Sequence, residues 1–312
     1  MAASDTAPLV LAIGEPLLEF NQVPGEPERY LRGFGGDTSN FAIAASRQGA
    51  RVAYVTRVGD DDFGRSLTAL WNDEGVDTAG VAIDRSATTG IYFVTHHDGG
   101  HEFTYFRKGS AASKLAPENL PYDLLDRAKY VHLSGITQAI SVEACDAVFA
   151  AIAHLRGRGK VITYDPNLRV RLWPVSRARA IVEATLADVD YFLPSLEDAT
   201  SLTGLERADD VASYYLDKGA RHVILKMGGD GVLIADAKGR QRVAGHVVDA
   251  RDTTGAGDCF DGSFVARIAA GDSVATAVAY ANASAALSTQ GYGAVGPIPR
   301  PEQVRALMHP AA

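Results

Sequence analysis

Strand-like and helix-like segments alternate along most of this chain, and the alternation is the strongest constraint on its fold. Short apolar runs predict buried strands at residues 8–13, 52–58, 130–133, 161–164, 191–193 and 222–226. Segments of helical character lie between them, at residues 39–48, 63–72, 142–155, 177–186, 197–202 and 211–216. Because parallel strands need a crossover helix, this order predicts an α/β fold with a doubly wound, mostly parallel sheet flanked by helices.

Two segments interrupt the alternation and predict a second, smaller sheet. They are residues 15–34 and 89–110, and the second contains two strand-like stretches joined by His97-Asp98-Gly99-Gly100. An Asp-Gly pair between alternating segments is a strong hairpin signal. We therefore expect a single domain over residues 1–312, with both segments inserted into it as a small sheet.

The composition is that of an ordinary soluble protein and argues against several partners. The chain is 46% hydrophobic with a net charge of −8 and no run of basic residues, so neither nucleic acid nor an anionic membrane is an expected partner. Cys145 and Cys259 lie far apart in sequence, which supports neither a disulfide framework nor a zinc site. The N-terminus has no basic, apolar leader. These features predict a cytoplasmic protein.

A glycine-rich turn, Asp252-Thr253-Thr254-Gly255-Ala256-Gly257-Asp258, runs directly into an apolar helical segment. Backbone N–H groups at such a turn converge on an anion, most often a phosphate. Asp258 falls in the first helical turn, where a carboxylate can take a proton from a bound hydroxyl. An anion site beside a base suggests phosphoryl transfer, although many purely structural turns share this pattern.

The turn is one of several motifs that resemble the PfkB (ribokinase-like) family of carbohydrate kinases. Residues 35–40, Gly-Gly-Asp-Thr-Ser-Asn, resemble the N-terminal signature of the family, and residues 252–258 resemble its C-terminal signature. Further stretches at residues 105–111, 131–137, 165–169 and 172–173 are most similar to the 2-keto-3-deoxygluconate kinase subfamily. The resemblance implies a ribokinase-like fold whose small sheet forms a lid over the sugar. Because lids in this family often pair, it also implies a homo-oligomer.

The activity that the resemblance implies is ATP-dependent, Mg²⁺-requiring phosphorylation of the terminal hydroxyl of 2-keto-3-deoxygluconate, in a sugar-acid catabolic route of the Entner-Doudoroff type. Asp258 would be the base, and the N–H groups of Gly255, Ala256 and Gly257 would receive the transferred phosphoryl group. The ATP site would be formed by Asn167, Arg169, Ser195, Lys226, Gly228, Gly231, Asn282 and the 255–257 turn.

Two aspartates, Asp198 and Asp252, are the expected metal residues. The segment 195–198 departs twice from the family's Asn-x-x-Glu pattern, since Ser195 replaces asparagine and Asp198 stands in for glutamate. A hard cation accepts oxygen ligands of either kind, often through water. Ser195 and Asp252 also have structural interpretations, Ser195 as a helix N-cap and Asp252 as a cap or turn residue.

At the sugar end, the resemblance implies contacts from Gly35, Gly36, Asn40, Tyr92, Tyr105, Arg107 and Arg169. Arg107 is the most discriminating of these, because a guanidinium grips a carboxylate and the expected substrate carries one, whereas fructose and ribose do not. The two tyrosines could equally be packing residues of the small sheet, and Arg169 could serve only to fix its loop.

Three other functions remain as alternatives. Another sugar kinase of the family, such as a fructokinase or ribokinase, is the nearest, and a nonenzymatic sugar-binding regulator of the same fold is the second. The third, a nicotinamide oxidoreductase, lacks its fingerprint, because the G-x-G-x-x-G match at residues 291–296 follows a helix and precedes two prolines. No G-x-x-x-x-G-K-[ST] motif is present, so a P-loop enzyme is not expected.

Overall fold

A computed structural model describes residues 7–23, 25–97 and 100–309 of the chain. The strands span Leu9–Ile13 (β1), Leu17–Val23 (β2), Glu26–Gly35 (β3), Arg51–Gly59 (β4), Val76–Asp84 (β5), Ile91–His97 (β6), Gly100–Phe106 (β7), Tyr130–Ser134 (β8), Val161–Asp165 (β9), Tyr191–Phe192 (β10), His222–Lys226 (β11), Val232–Asp236 (β12) and Gly239–Val243 (β13). The helices span Asp37–Arg47 (α1), Asp62–Asp73 (α2), Tyr122–Arg127 (α3), Gly135–Ile140 (α4), Val142–Leu155 (α5), Val175–Leu186 (α6), Leu196–Thr203 (α7), Ala208–Asp217 (α8), Ala256–Ala269 (α9), Val274–Ser288 (α10) and Pro301–Met308 (α11).

Nine strands form the main sheet, in the order β13-β12-β11-β10-β9-β8-β1-β4-β5. Strands β11 to β5 in that order pair in parallel, and β12 and β13 add an antiparallel edge. The predicted α/β fold with a mostly parallel sheet is confirmed. Strand β5 was not predicted, because its polar and exposed positions on the sheet edge weaken the apolar signal of a strand.

Helices cover both faces of the main sheet, and the central strand β1 shows why. All five of its residues are buried. Leu9, Leu11 and Ile13 pack into one hydrophobic cluster, whereas Val10 and Ala12 pack into the other. Because successive side chains of a strand point to opposite faces, an uninterrupted apolar strand requires a helical layer on each side.

The small sheet has four strands in the order β3-β2-β6-β7, and both inserted segments contribute to it. β2 pairs antiparallel with β3 and parallel with β6, and β6 pairs antiparallel with β7. The predicted hairpin is therefore formed by β6 and β7, although Asp98 and Gly99 of its turn lie outside the described residues. In the part of the chain that the structure describes, none of the helices has the length and apolar character needed to cross a bilayer.

Helices α1 and α9 pack closely against each other, and this contact brings the two glycine-rich motifs together. A Cβ atom at Gly262 of α9 would lie 2.5 Å from the carbonyl oxygen of Phe41 in α1, so only glycine fits there. The side chain of Phe41 stacks on buried His132 of β8, with ring centroids 3.8 Å apart. Burial lowers the pKa of His132 to about 3, so this histidine acts as a neutral core residue.

Candidate active site

A cavity of about 930 Å³ lies at the carboxyl ends of the parallel strands, between the main sheet and the small sheet. This edge is where open α/β sheets bind ligands. Many of the site residues predicted from the sequence line this cavity: Gly35, Gly36, Asn40, Tyr92, Tyr105, Arg107, Asn167, Arg169, Asp198, Gly255 and Asp258. The small sheet supplies Tyr92 and Tyr105, and Arg107 lies in the loop that follows β7. The inserted segments therefore form the roof of the cavity.

The turn before α9 has the backbone that the sequence predicted. Gly255 is the N-cap of α9 with φ of 74°, a left-handed conformation that favours glycine. A Cβ atom at this position would also lie 2.9 Å from the side chain of Ala294, in the loop that follows α10. The first N–H groups of α9 lack intrahelical partners and carry the positive end of the helix dipole. An anion placed at this turn would therefore be stabilised.

Asp258 stands in the first turn of α9 and lines the same cavity. Its Oδ2 accepts a 2.8 Å hydrogen bond from Nδ2 of Asn40, at the start of α1. Burial, together with the nearby Asp37 carboxyl group, raises the pKa of Asp258 to about 7. A group with such a pKa can accept a proton from a hydroxyl near neutral pH, which is the requirement for a general base.

Two glycines in the cavity wall, Gly35 and Gly36, lie in close contact with neighbouring groups where a side chain would not fit. Gly36 is the N-cap of α1 with φ of 97°, and a Cβ there would lie 2.4 Å from the carbonyl oxygen of Glu15. At Gly35, a Cβ would lie 2.6 Å from the hydroxyl oxygen of Tyr92. Tyr92 in turn stacks on Tyr105, with ring centroids 5.5 Å apart, and donates a hydrogen bond to Glu19. Both tyrosines thus pack within the small sheet and also face the cavity.

Arg107 forms a buried ion pair with Glu15, the residue two positions after β1. The guanidinium group lies 5.3 Å from the ring centroid of Tyr105, where a cation–π interaction stabilises it. Its Nη2 donates to Oε2 of Glu15, while Nε is buried without a hydrogen-bond partner among the described residues. The residue predicted to grip a substrate carboxylate is therefore already bound to a carboxylate of the protein.

Glu15 and Asp37 line the cavity, and no role was predicted for either of them from the sequence. Asp37 accepts hydrogen bonds from Ser134 and, at 3.3 Å, from Nδ2 of Asn167. Asn167 has φ of 33°, and its backbone N–H donates to Asp165 at 3.0 Å. The signals were in the sequence: Glu15 follows the carboxyl end of a buried strand, and Asp37 follows the Gly-Gly pair at a helix start.

Lys226 lies outside the cavity lining and is bound by two carboxylates. Its Nζ donates to Asp165 and to Asp261 at 3.0 Å each, and it lies 3.6 Å from where a Cβ of Gly257 would be. Burial alone would lower the pKa of Lys226, but the two carboxylates raise it. The ammonium group therefore lies beside Gly257 in the first turn of α9 and links α9 to β9 and β11.

The other residues of the predicted ATP site are not among those that line the cavity. Gly228 and Gly231 belong to the turn between β11 and β12, and a Cβ at Gly231 would lie 2.1 Å from the carbonyl oxygen of Val243. Asn282 of α10 donates to the carbonyl oxygen of Ala244 at 2.7 Å. These contacts hold the glycine turn against the segment that follows β13. Ala256 and Gly257 lie in the first turn of α9.

The candidate metal residues differ in what they offer a cation. Asp198 lines the cavity, and burial, with Asp165 nearby, raises its pKa to about 6. Ser195 caps α7 by accepting from the N–H of Asp198, and Asp252 accepts from the N–H groups of Thr254 and Gly293 at 2.9 and 2.8 Å. Across residues 7–23, 25–97 and 100–309, no three His, Cys, Asp or Glu side chains are grouped to hold a metal. The donor set fits a cation held by one carboxylate, water and a ligand's phosphates.

An anion-binding helix N-terminus beside a carboxyl group with a pKa near 7, both facing a roofed cavity, provides what phosphoryl transfer to an alcohol requires. The fold and the site define a phosphotransferase of the α/β class. Residues 8–301 match the model of the pfkB family carbohydrate kinases. The chain belongs to this family and is an ATP-dependent carbohydrate kinase.

Relatives with different substrates are similarly close. The chain is 35% identical to a 2-dehydro-3-deoxygluconokinase of Thermoproteus tenax, covering 96% of this chain and 94% of the relative. It is 33% identical to probable fructokinase-5 of Arabidopsis thaliana, covering 96% and 97%. Among solved structures, a putative ribokinase II from E. coli in complex with ATP and Mg²⁺ has a TM-score of 0.88 at 27% identity, covering 99% of each chain. The comparisons therefore show the family of this chain, but they do not distinguish between the substrates of its relatives.

Proposed function

We propose that this kinase phosphorylates the terminal hydroxyl of 2-keto-3-deoxygluconate, giving 2-keto-3-deoxy-6-phosphogluconate. The observation that carries the proposal is that Arg107 and Asp258 face one cavity. A sugar acid has a carboxylate at one end and a primary hydroxyl at the other, so it can engage both residues at once. Three further basic side chains line the cavity: Lys108, Arg169 and Arg171. They favour an anionic substrate.

The chain's own residues supply the steps of the reaction. The terminal hydroxyl of the sugar lies at Asp258. The oxygen of that hydroxyl attacks the γ-phosphorus of ATP, while the bond between the γ-phosphorus and the oxygen that bridges to the β-phosphate breaks. The hydroxyl proton passes to Asp258, whose orientation Asn40 fixes. The N–H groups of the 255–257 turn stabilise the charge on the transferred group. The small sheet acts as a lid that excludes water and so limits wasteful hydrolysis of ATP.

ATP would lie between the 255–257 turn and the glycine turn at 228–231, near Asn282. That a similar E. coli protein forms a complex with ATP and Mg²⁺ supports the binding of both by this chain. Asp198, with Glu197 beside it in the cavity lining, would hold Mg²⁺ through water. When bound, the cation neutralises charge on the phosphates. The role of Lys226 would be to support the 255–257 turn, since both of its carboxylate partners are protein groups.

The proposal also includes a pathway, a cellular location and an oligomeric state. A kinase of this substrate would act in sugar-acid catabolism of the Entner-Doudoroff type, in the cytoplasm. A homo-oligomer formed through the small sheet is supported by exposed apolar side chains there, Leu31 and Phe106, which are 57% and 61% accessible.

A fructokinase is the second candidate, and one observation favours it. Glu15 already balances the charge of Arg107, so the cavity can hold a neutral sugar without leaving a buried cation unpaired. The curated relatives include fructokinases at 33% identity. This alternative and the sugar-acid proposal predict opposite substrate preferences.

A coupled assay of ADP release over a panel of acceptors distinguishes the two. The panel contains 2-keto-3-deoxygluconate, its galactonate epimer, fructose, ribose and gluconate. We expect kcat/KM for the keto-deoxy acids to exceed that for fructose by at least tenfold, because a charge-assisted contact contributes roughly 1.5–3 kcal/mol. Equal or higher kcat/KM for fructose would replace the proposal with the fructokinase alternative. Absence of ADP release with all five acceptors would overturn both substrate assignments.

A further inference from the structure

The ion pair between Arg107 and Glu15 is unusual for a residue that is expected to bind substrate. The side chains are 10% and 1% exposed, so the pair is withdrawn from water even though it lines the cavity. A buried pair of this kind costs desolvation energy, and removal of one partner leaves the other as an unpaired buried charge. A substrate carboxylate at Arg107 would therefore enter a site where Glu15 already balances the charge.

The hydrogen bonds of the pair are incomplete. The bonds of Arg107 described in the structure involve Nη2 alone, and Nε is buried without a partner among the described residues. Oε1 of Glu15 is likewise buried without one. A guanidinium group offers five N–H donors, so donors remain for an incoming carboxylate while Glu15 stays in place.

A substrate carboxylate at Arg107 would place two carboxylates on one buried guanidinium group, because the other basic side chains of the cavity, Lys108, Arg169 and Arg171, are exposed to water. Burial raises the pKa of Glu15, Arg107 opposes that shift, and Asp37, Tyr54 and Tyr105 also interact electrostatically with Glu15. Ser110 adds a neutral hydroxyl. When carboxylates are held close together in a buried site, one of them takes up a proton.

We propose that Glu15 is a specificity-determining residue: it is the resident counter-ion of Arg107, and when a substrate carboxylate binds to Arg107, Glu15 takes up one proton from solvent. A neutral sugar leaves the ion pair intact and binds without this proton. The inference rests on the proposed function, because it requires a carboxylate at Arg107. It assigns to Glu15 the discrimination between acid and neutral acceptors, with Arg107 as the contact residue.

The proposal gives acid and neutral sugars different pH dependences. Binding that consumes one proton weakens up to tenfold per pH unit where Glu15 is ionised in the free enzyme. The Kd of 2-keto-3-deoxygluconate should therefore rise with pH once Glu15 is ionised in the free enzyme, and that of fructose should not. KM for the acid should follow the same course, with kcat much less affected.

Isothermal titration calorimetry in two buffers of different ionisation enthalpy measures the proton directly. The experiment uses the full chain with an Asp258→Asn background, which removes a cavity carboxyl with a pKa of about 7; Asp198, with a pKa of about 6, is present with both sugars and cancels in the comparison. We expect about one more proton to be taken up with 2-keto-3-deoxygluconate than with fructose. This comparison is made within one protein and needs no change at Glu15.

Glu15→Gln then assigns the proton to this residue. In that variant the extra uptake should disappear, and the Kd of the acid should become independent of pH and lower at pH 8 than before the change. Glu102→Gln is the matched control, because Glu102 also lines the cavity but is exposed on β7, and it should retain the uptake. Glu15→Asp, which keeps the carboxyl group, should retain it too.

The outcomes separate the two proposals. Preference for the acid without extra proton uptake, or uptake that persists in Glu15→Gln, overturns the inference alone. Failure of the enzyme to bind the acid overturns the proposed function, and with it the inference. Extra uptake that is lost in Glu15→Gln and kept in Glu102→Gln supports both.

Discussion

Replacement of Asp258 with asparagine is expected to lower kcat by about 10²- to 10⁴-fold, the usual contribution of a positioned general base. Asparagine keeps the shape and can still accept the hydrogen bond from Asn40. It cannot take the proton of the sugar hydroxyl. Steady-state assay of ADP release with saturating sugar and ATP measures the effect, and KM for the sugar should change far less than kcat.

The pH profile gives the same prediction a second test. Burial raises the pKa of Asp258 to about 7, and the base acts in its deprotonated form. The kcat/KM of the unmodified enzyme with a neutral sugar should therefore rise as the pH increases through about 7 and level off above it. In Asp258→Asn, the residual activity should lack this rise. A variant that retains both the rate and the profile would show that another group is the base.

Stability provides the control for folding, and its sign follows from the same shift. The folded pKa of Asp258 lies above its ordinary value of 3.8, so its contribution to stability is greatest below that value and is lost as the pH rises through about 7. Above that pH the folded protein carries the free-energy cost of a buried, ionised carboxylate, and Asp258→Asn removes this cost. Its Tm at pH 8 should equal or exceed that of the unmodified protein, while Glu102→Gln should change neither Tm nor kcat appreciably.

Replacement of Arg107 with leucine should lower kcat/KM for 2-keto-3-deoxygluconate about 10- to 100-fold, because a charge-assisted contact contributes roughly 1.5–3 kcal/mol. The value for fructose should change less than about threefold. The measured quantity is the ratio of the two kcat/KM values, which cancels any loss of active protein. Equal losses for both sugars would show that Arg107 supports the fold of the cavity and does not select the substrate.

Three variants refine the interpretation of Arg107→Leu. Because it leaves Glu15 buried without its cation, the double variant Glu15→Gln/Arg107→Leu keeps the local charge balanced and should show the same change in selectivity. Arg107→Lys keeps the charge but loses the planar guanidinium group, so its ratio of kcat/KM for the acid to that for fructose should lie between those of the unmodified enzyme and Arg107→Leu. Arg171→Leu is the matched control, since Arg171 lines the cavity but is exposed and bonds to a backbone oxygen of β7. It should reduce the preference for the acid far less than Arg107→Leu does, because an exposed charge is screened by water.

Much of the fold was predictable because its signals are local. Apolar strands such as β1 and the helical segments between them define the parallel sheet, and the two inserted segments form the small sheet. Strand β5 was missed because an edge strand with polar positions lacks that apolar signal. The close approach of α1 and α9 at Gly262 depends on tertiary packing, which a local pattern does not contain.

The candidate site was predictable where a residue type is demanded by the backbone or the chemistry. Gly36 and Gly255 adopt positive φ values of 97° and 74°, and Asp258 stands beside the turn as expected. The partners of charged residues were not predictable. Lys226 lies between Asp165 and Asp261, residues separated from it by 61 and 35 positions, and Glu15 lies 92 positions from Arg107. Such long-range pairs arise only when the chain has folded.

The central claim is that the cavity holds a sugar acid with its carboxylate at Arg107 and its terminal hydroxyl at Asp258. Identification of the product by ³¹P and ¹³C NMR, after incubation with ATP, Mg²⁺ and 2-keto-3-deoxygluconate, tests this claim most directly. The account predicts one phosphomonoester on the C6 oxygen, formed in equal amount to ADP. A phosphate on another oxygen, or ADP formed without a sugar phosphate, would contradict it.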